Sequence, residues 1–173
     1  MTMREQYQIA KDEGVLYRTY LDSLNYPTGG IGHLLSDIEA VRYPVGTAIP
    51  SSVVEEWFMY DMLSAIESVD KLMAQYEVPY TDELHDILTN MAFNLGETRL
   101  RKFKRMWSAL KEQDFDEAAK EMQDSRWYSQ VGGRSKRLYE RMRELKGNKD
   151  VGKPNPSVGK LIGEDSTRPE SGC

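Results

Sequence analysis

The sequence predicts an α+β protein that is mostly helical, with a small α/β lobe and a helical lobe joined by one long helix. Three observations lead to this prediction. Aromatic and β-branched residues near the N-terminus alternate as they do in strands, residues 52–76 follow a helical period, and helical patterns fill the chain from residue 81 to 146. At 173 residues the chain is long enough for one domain or two small lobes with a real core.

The predicted small lobe covers about residues 12–52 and follows a first helix. That helix begins at Thr2-Met3-Arg4-Glu5, which has the form of a capping box, and ends at Gly14. Glu13 therefore occupies its last turn. The elements expected next are a strand at 15–22, a turn at 23–25, a glycine-rich second strand at 28–33 and irregular chain at 36–50.

A capping box at Ser52-Val53-Val54-Glu55 is expected to open a helix that runs to about Tyr76. At about 25 residues this helix would span nearly 40 Å, so it is interpreted as the bridge between the lobes. The helical lobe, about residues 81–146, is expected to include the N-terminal helix. Its other predicted helices lie at about 81–95, 98–112, 115–123, 126–130 and 133–146.

Several classes of function are not expected. Net charge is −5, and the one basic run, residues 99–105, lies on a predicted helix, so nucleic-acid binding is not predicted. No apolar run approaches the roughly 18–20 residues that span a bilayer, and no secretory signal is visible. Neither a metal nor a cofactor is expected, because no ligand cluster is visible. Residues 147–173 are rich in Gly, Pro and Ser and are predicted to form an extended tail ending in Cys173, the only cysteine.

Glu13 and Asp22 are the candidate acid–base pair. At the C-terminal end of a helix the macrodipole disfavours an anion, so the pKa of Glu13 should be raised, which suits a general acid. Asp22 begins a turn and is expected to be ionised. Two carboxylates in these states are what glycoside hydrolysis needs. Since Asp and Glu total 28 residues, spacing alone leaves a surface or capping role for the pair as the alternative.

A specific set of motifs runs along the chain. Asp12-Glu13-Gly14 is followed by Tyr20, Asp22 and the run Gly30-Ile31-Gly32-His33-Leu34-Leu35. Further motifs are Asn90 to Thr98, Phe115 to Ala119 and Ser125 to Gln130. In their order and distances these motifs resemble the T-even phage lysozymes, glycoside hydrolase family 24. The resemblance covers roughly residues 3–146 and leaves out the tail.

The resemblance implies a lysozyme-like two-lobed fold and the activity of a muramidase. Such an enzyme hydrolyses the β-1,4 bond between N-acetylmuramic acid and N-acetylglucosamine in peptidoglycan, with inversion. The spacing of Glu13, Asp22 and Thr28 matches the family's catalytic spacing without a gap. Glu13 would be the general acid, and Asp22 and Thr28 would hold the attacking water. A threonine suits this role because its hydroxyl can donate to Asp22 and accept from water.

The resemblance also implies supporting roles. Arg134 would pair with Glu13, and His33 with Asp61 in an ion pair that is structural rather than catalytic. Gly29 stands where the family often has a bulky aliphatic residue, so the strand carrying Thr28 is expected to be loosely packed. Sugar contacts are expected at Leu34, Phe93, Met106 and Glu121.

Two other functions remain open at this point. One is a lytic transglycosylase, which uses one acid and no water-activating aspartate, so Asp22 counts against it. The other is a non-catalytic wall-binding or virion module that keeps a lysozyme fold. The expected partner is peptidoglycan, and the expected state is a monomer. For delivery, a chain in the bacterial cytoplasm would need a separate pore protein, whereas residues 147–173 could instead attach it to a phage particle.

Overall fold

The computed structural model describes residues 2–145 and, for Glu13, the backbone alone. Over that range the chain forms nine helices and one three-stranded sheet. In chain order the elements are α1 (Met3–Glu13), β1 (Leu16–Leu21), β2 (Pro27–Gly30), β3 (His33–Leu34), α2 (Asp37–Arg42), α3 (Ser51–Gln75), α4 (Asp82–Leu95), α5 (Glu97–Arg101), α6 (Lys104–Lys111), α7 (Phe115–Gln123), α8 (Arg126–Val131) and α9 (Gly133–Glu144). The predicted α+β class is confirmed. The predicted tail, 147–173, lies outside the described residues.

The capping box predicted at the start of α1 is present. The Thr2 hydroxyl accepts from the Glu5 N–H at 3.2 Å, and the Glu5 carboxylate accepts from the Thr2 N–H at 2.7 Å. Both groups satisfy donors that an uncapped helix would leave free. The helix ends where the Gly14 N–H donates to the Ala10 carbonyl.

Helix α1 lies between the two lobes. Tyr7 packs its ring 5.2 Å from that of Phe58, and Ala10 is buried in the core of the small lobe. On another side, the Gln6 amide donates to Asp86 of α4 at 3.3 Å. The end of α1, with Glu13, is therefore held by contacts to both lobes.

The glycine-rich segment forms two strands, so the prediction of a single strand over 28–33 is wrong. The chain turns at Ile31-Gly32 and returns as β3, which pairs antiparallel with β2. Gly30 and Gly32 have φ values of 62° and 67°. Glycine adopts this left-handed conformation without the steric cost that a side chain brings, which allows the tight reversal.

The irregular chain predicted at 36–50 contains helix α2, which is a second correction. The Ser36 hydroxyl accepts from the Glu39 N–H at 3.3 Å and caps the helix. Beyond α2 the chain runs extended beside β1, where the Thr19 N–H donates to Thr47 at 2.9 Å. This segment covers the edge of the sheet that β1 would otherwise expose.

Helix α3 has the predicted length and joins the two cores, but its predicted capping box is wrong. Pro50 is the N-cap residue, and no side chain caps the helix. Ile49 is 3% exposed and donates its N–H to Tyr17 at 2.8 Å, which holds the chain extended up to Pro50. The N-terminal half of α3 packs in the small lobe through Val54, Trp57, Phe58 and Met62, and its C-terminal half packs in the helical lobe through Ala65, Val69, Leu72 and Met73.

In the helical lobe the helix predicted at 98–112 is interrupted. The backbone of Phe103 is non-helical, with ψ of 53°, and separates α5 from α6. Inside the lobe the Trp107 indole N–H donates to the Leu100 carbonyl at 3.0 Å, so the break is supported by a buried hydrogen bond. The basic run 99–105 therefore spans two short helices. The other predicted helices are present, with bounds that differ by no more than two residues.

Gly29 is tightly packed, which contradicts the expectation of a loose strand. A Cβ atom at this position would lie 2.5 Å from Cδ1 of Ile49 and 3.4 Å from Cζ3 of Trp57. These side chains already fill the space that a bulky residue at position 29 would take. The backbone of β2 is thus pressed directly against the core of the small lobe, and this positions the neighbouring Thr28.

Candidate active site

Asp22 organises the turn between β1 and β2. Its Oδ1 atom accepts hydrogen bonds from the N–H groups of Leu24 and Tyr26, both at 2.9 Å. The Asp22 N–H in turn donates to the Tyr26 carbonyl at 3.0 Å. Aspartate commonly stabilises turns in this way, by accepting from backbone two residues on. Within residues 2–145 the second oxygen, Oδ2, makes no hydrogen bond and is available to another group.

Thr28 is held by the same backbone segment. It is 5% exposed, and its hydroxyl donates to the Tyr26 carbonyl at 3.0 Å. The expected donation from Thr28 to Asp22 is therefore not observed, because the hydroxyl proton is directed to Tyr26. The lone pairs of the Thr28 oxygen are left to act as acceptors. Tyr26 thus fixes both side chains, Asp22 through its N–H and Thr28 through its carbonyl.

A row of three side chains crosses the sheet beside this turn. Thr28 pairs with Tyr20 on β1 and with Leu34 on β3. Paired residues on neighbouring strands project from the same face of a sheet. Gly29 faces the core, so the row of Tyr20, Thr28 and Leu34 lies on the opposite face. Leu34 is 57% exposed there, beside Thr28.

Glu13 is the last residue of α1, as predicted. Its side chain lies outside the described part of the structure, and so does its predicted pairing with Arg134. Arg134, on α9, donates to the Asn94 side-chain oxygen at 2.7 Å, and burial lowers its pKa. Arg134 lines a pocket of about 280 Å³ together with Ile9 and Ala10 of α1. The fold thus brings this arginine to the last turns of the helix that ends at Glu13.

His33 holds three elements of the small lobe together. Its Nδ1 atom lies 2.7 Å from Asp61 Oδ2 on α3, and its Nε2 atom lies 2.7 Å from Glu39 Oε2 on α2. The ring stacks on Trp57 with centroids 4.5 Å apart. Burial by itself would lower the pKa of His33, but the hydrogen bonds to Asp61 and Glu39 outweigh burial and raise it. A protonated ring can donate to both carboxylates at once.

Comparison with known proteins identifies the family of this chain. A family model described as phage lysozyme matches residues 10–144, which contain the Asp22 turn, the sheet row and all of α3 to α9. The chain belongs to the phage lysozyme family. The match covers most of the chain, and it confirms the lysozyme-like fold that the resemblance implied.

Several relatives are similar to this chain over most of its length. The pre-baseplate central spike protein Gp5 of Enterobacteria phage T4 is 30% identical over 157 residues, which are 80% of this chain and 27% of that protein. The peptidoglycan hydrolase gp36 of Pseudomonas phage phiKMV is 27% identical over 78% of this chain and 14% of its own. Probable T4-type lysozyme 1 of Dictyostelium discoideum is 30% identical over 73% of this chain and 86% of its own. The chain thus spans only about a quarter and a seventh of the two phage relatives.

The four residues predicted to contact sugars lie in different parts of the structure. The prediction for Met106 is wrong, because this residue is 0% exposed in the core of the helical lobe and cannot reach a sugar. Phe93 is half-buried, with its ring 5.3 Å from that of Phe58. Glu121 lies with Lys104 at a separate surface pocket of about 440 Å³ on the helical lobe. Contacts from Leu34, Phe93 and Glu121 to substrate stay predictions.

Glu39 is a second partner of His33 that was not predicted from the sequence. Residues 36–50 were expected to be irregular, so no helix was available to carry it. The signal was present, because Ser36-Asp37-Ile38-Glu39 has the spacing of a capping box. Asn94, the acceptor for Arg134, was not predicted either.

Over residues 2–145, no helix combines the length and the apolar character needed to cross a bilayer. The same residues contain no group of three or more His, Cys, Asp or Glu side chains arranged to hold a metal ion.

Proposed function

We propose that this lysozyme hydrolyses the β-1,4 bond between N-acetylmuramic acid and N-acetylglucosamine in bacterial peptidoglycan, with inversion at the anomeric carbon. The observation that carries the proposal is the hydrogen-bonded unit in which Tyr26 fixes Asp22 and Thr28. Membership of the phage lysozyme family supports the reaction class. The relative named as a peptidoglycan hydrolase supports the choice of substrate.

In this mechanism Asp22 and Thr28 orient the attacking water. The water donates one hydrogen to Asp22 Oδ2, the oxygen that the turn leaves open, and the other to the Thr28 oxygen. Thr28 acts as an acceptor because its own proton is bonded to Tyr26. With both hydrogens engaged, a lone pair of the water points toward the anomeric carbon. Asp22 takes the proton as the new C–O bond forms.

Glu13 acts from the other side of the sugar as general acid. It protonates the glycosidic oxygen as the bond to the leaving sugar breaks, so the proton that Glu13 loses is balanced by the one that Asp22 gains. The position of Glu13 at the C-terminal end of α1 favours the protonated state that this step needs. Arg134, which lines a pocket with the same helix, would support the carboxylate once the proton has left.

The delivery route has two forms. A free chain in the bacterial cytoplasm would reach the wall through a pore made by another protein. The similarity to a pre-baseplate central spike protein supports the alternative, in which the domain travels with the phage particle. Immunodetection of the chain in purified particles distinguishes them, since a freely delivered enzyme is absent from particles.

Product analysis of digested peptidoglycan tests the proposed reaction. The expected products carry ordinary reducing N-acetylmuramic acid ends, because water is the nucleophile. A Glu13→Gln variant is expected to release none above background, whereas Asp12→Asn, at the neighbouring carboxylate, should digest like wild type. Products with 1,6-anhydromuramic ends would identify a transglycosylase. Intact walls that bind the protein would identify a non-catalytic module.

A further inference from the structure

We infer that Tyr20 is a substrate-positioning residue, whose phenol donates a hydrogen bond to an oxygen of the sugar that the water attacks. The inference rests on the proposed function and adds a residue to it. It is carried by the place of Tyr20 in the sheet, by the state of its hydroxyl group and by a local irregularity of β1.

The register of the sheet places Tyr20 beside the water-holding pair. Tyr20 is the direct cross-strand partner of Thr28. Side chains of such partners start about 4.5–5.5 Å apart and project from the same face. The residue two positions after Tyr20 is Asp22, so one side chain adjoins both members of the pair. Leu34 continues the same row and is exposed, which leaves this face open to a ligand.

The Tyr20 hydroxyl is open to a ligand. In the described part of the chain it makes no hydrogen bond, and it is not among the buried polar atoms found there, so it reaches solvent although the side chain is half-buried. Burial raises the pKa of Tyr20, and the negative charge of Asp22 raises it further. The phenol is therefore kept protonated and can act as a donor at neutral pH.

The strand is irregular directly before Tyr20. Three residues of β1 lie between Leu16 and Tyr20, whereas a single residue of β2, Gly29, lies between their partners Gly30 and Thr28. A bulge of this kind re-aims the side chains that follow it, and bulges are frequent next to active sites. Here it shifts the pairing by two residues of β1. Tyr20, rather than the residue two positions before it, therefore lies opposite Thr28.

The position defines what the phenol can bind. The water already gives both its hydrogens to Asp22 and Thr28, and its lone pair must stay free for attack. A donor beside it is therefore useful only toward the substrate. Hydroxyl and acetamido oxygens of the sugar are acceptors of the required kind. Holding one of them would keep the anomeric carbon in line with the water, which lowers the barrier rather than strengthening ground-state binding.

Steady-state kinetics of Tyr20→Phe on solubilised peptidoglycan fragments test the inference, with Tyr17→Phe as the matched control on the same strand. Tyr20→Phe removes one hydroxyl that makes no hydrogen bond within residues 2–145, so its melting temperature should match wild type. We expect kcat to fall about 10-fold with KM changed less than about twofold, as for the loss of one hydrogen bond made in the transition state. Tyr17→Phe should behave like wild type.

Each other outcome has a distinct meaning. If Tyr20→Phe and Tyr17→Phe are equally active, the inference is overturned while the proposed function stands. If the loss of activity comes with a lower melting temperature, Tyr20 is structural and the inference is again overturned. If wild type releases no fragments while it is folded, the proposed function fails, and the positioning role fails with it.

Discussion

Replacing Asp22 by asparagine is expected to lower the rate of wall hydrolysis about 100- to 10,000-fold, the usual contribution of a general base. Asparagine keeps an oxygen where Oδ1 accepts from the N–H groups of Leu24 and Tyr26, so the turn should survive. In place of Oδ2 it presents an NH2 group, which cannot accept a proton from water. Hydrolysis rates and thermal unfolding measured side by side check this result.

Asp22→Ala is the informative comparison. It removes the acceptor for two backbone N–H groups, so it should cost about 1–2 kcal/mol of stability in addition to the activity. Asp22→Asn should unfold within a few degrees of wild type. Substantial hydrolysis by Asp22→Asn would show that Asp22 serves the turn alone. Equal destabilisation by the two variants would contradict the acceptor role of Oδ1.

Replacing His33 by glutamine is expected to cause a large loss of stability, about 2–4 kcal/mol at pH 6, because it leaves two carboxylates without the cation between them. The lower part of this range applies if solvent screens Asp61 and Glu39, whose side chains are each 28% exposed. The substitution should loosen the contacts among three elements, since His33 joins β3 to α2 and α3. Urea unfolding measures the difference in free energy.

The stabilisation by His33 should depend on pH. Its pKa is raised in the folded state above the value of about 6.5 expected in the unfolded chain, so folding is favoured by protonation. The contribution is complete below that unfolded value and is lost as pH rises through the folded pKa. Wild type and His33→Gln should therefore converge in stability at alkaline pH. The chain has one other histidine, His85, and His85→Gln should leave this pH dependence in place. A constant difference from pH 5.5 to 9 would contradict the assignment.

The parts of the fold that the sequence predicted correctly are those where one physical signal dominates. Apolar residues at helical spacing predicted α3 and most of the helical lobe, because burial of one face decides those elements. The capping box at Thr2 and Glu5 predicted the start of α1 for a similar reason, since both of its partners lie within four residues. In each case the information is local.

The errors fall where distant contacts decide the structure. The start of α3 depends on Ile49, which is tied to β1, so a local capping pattern at Ser52 predicted the wrong cap. Packing at Gly29 depends on Ile49 and Trp57, which are far away in the sequence. Met106 has the sequence position of a sugar contact, but the helix carrying it turns that side chain into the core.

The candidate site follows the same division. Motif spacing predicted that Asp22 and Thr28 lie close together, because a short turn joins them. It could not predict their hydrogen bonds, since both are made to the backbone of Tyr26 and depend on how that turn closes. Tyr20 belongs to the motif, but its place opposite Thr28 follows from the register of β1, which a bulge alters.

The anomeric form of the first released sugar tests the central claim most directly. The proposed mechanism holds a water between Asp22 and Thr28 for attack opposite the bond that Glu13 protonates, so a β-linked substrate must give an α product. Proton NMR of a rapid digest, recorded before mutarotation, reads this configuration at the new N-acetylmuramic acid end. We predict the α anomer. Initial release of the β anomer would mean that a covalent intermediate forms, and the water site proposed here would be wrong.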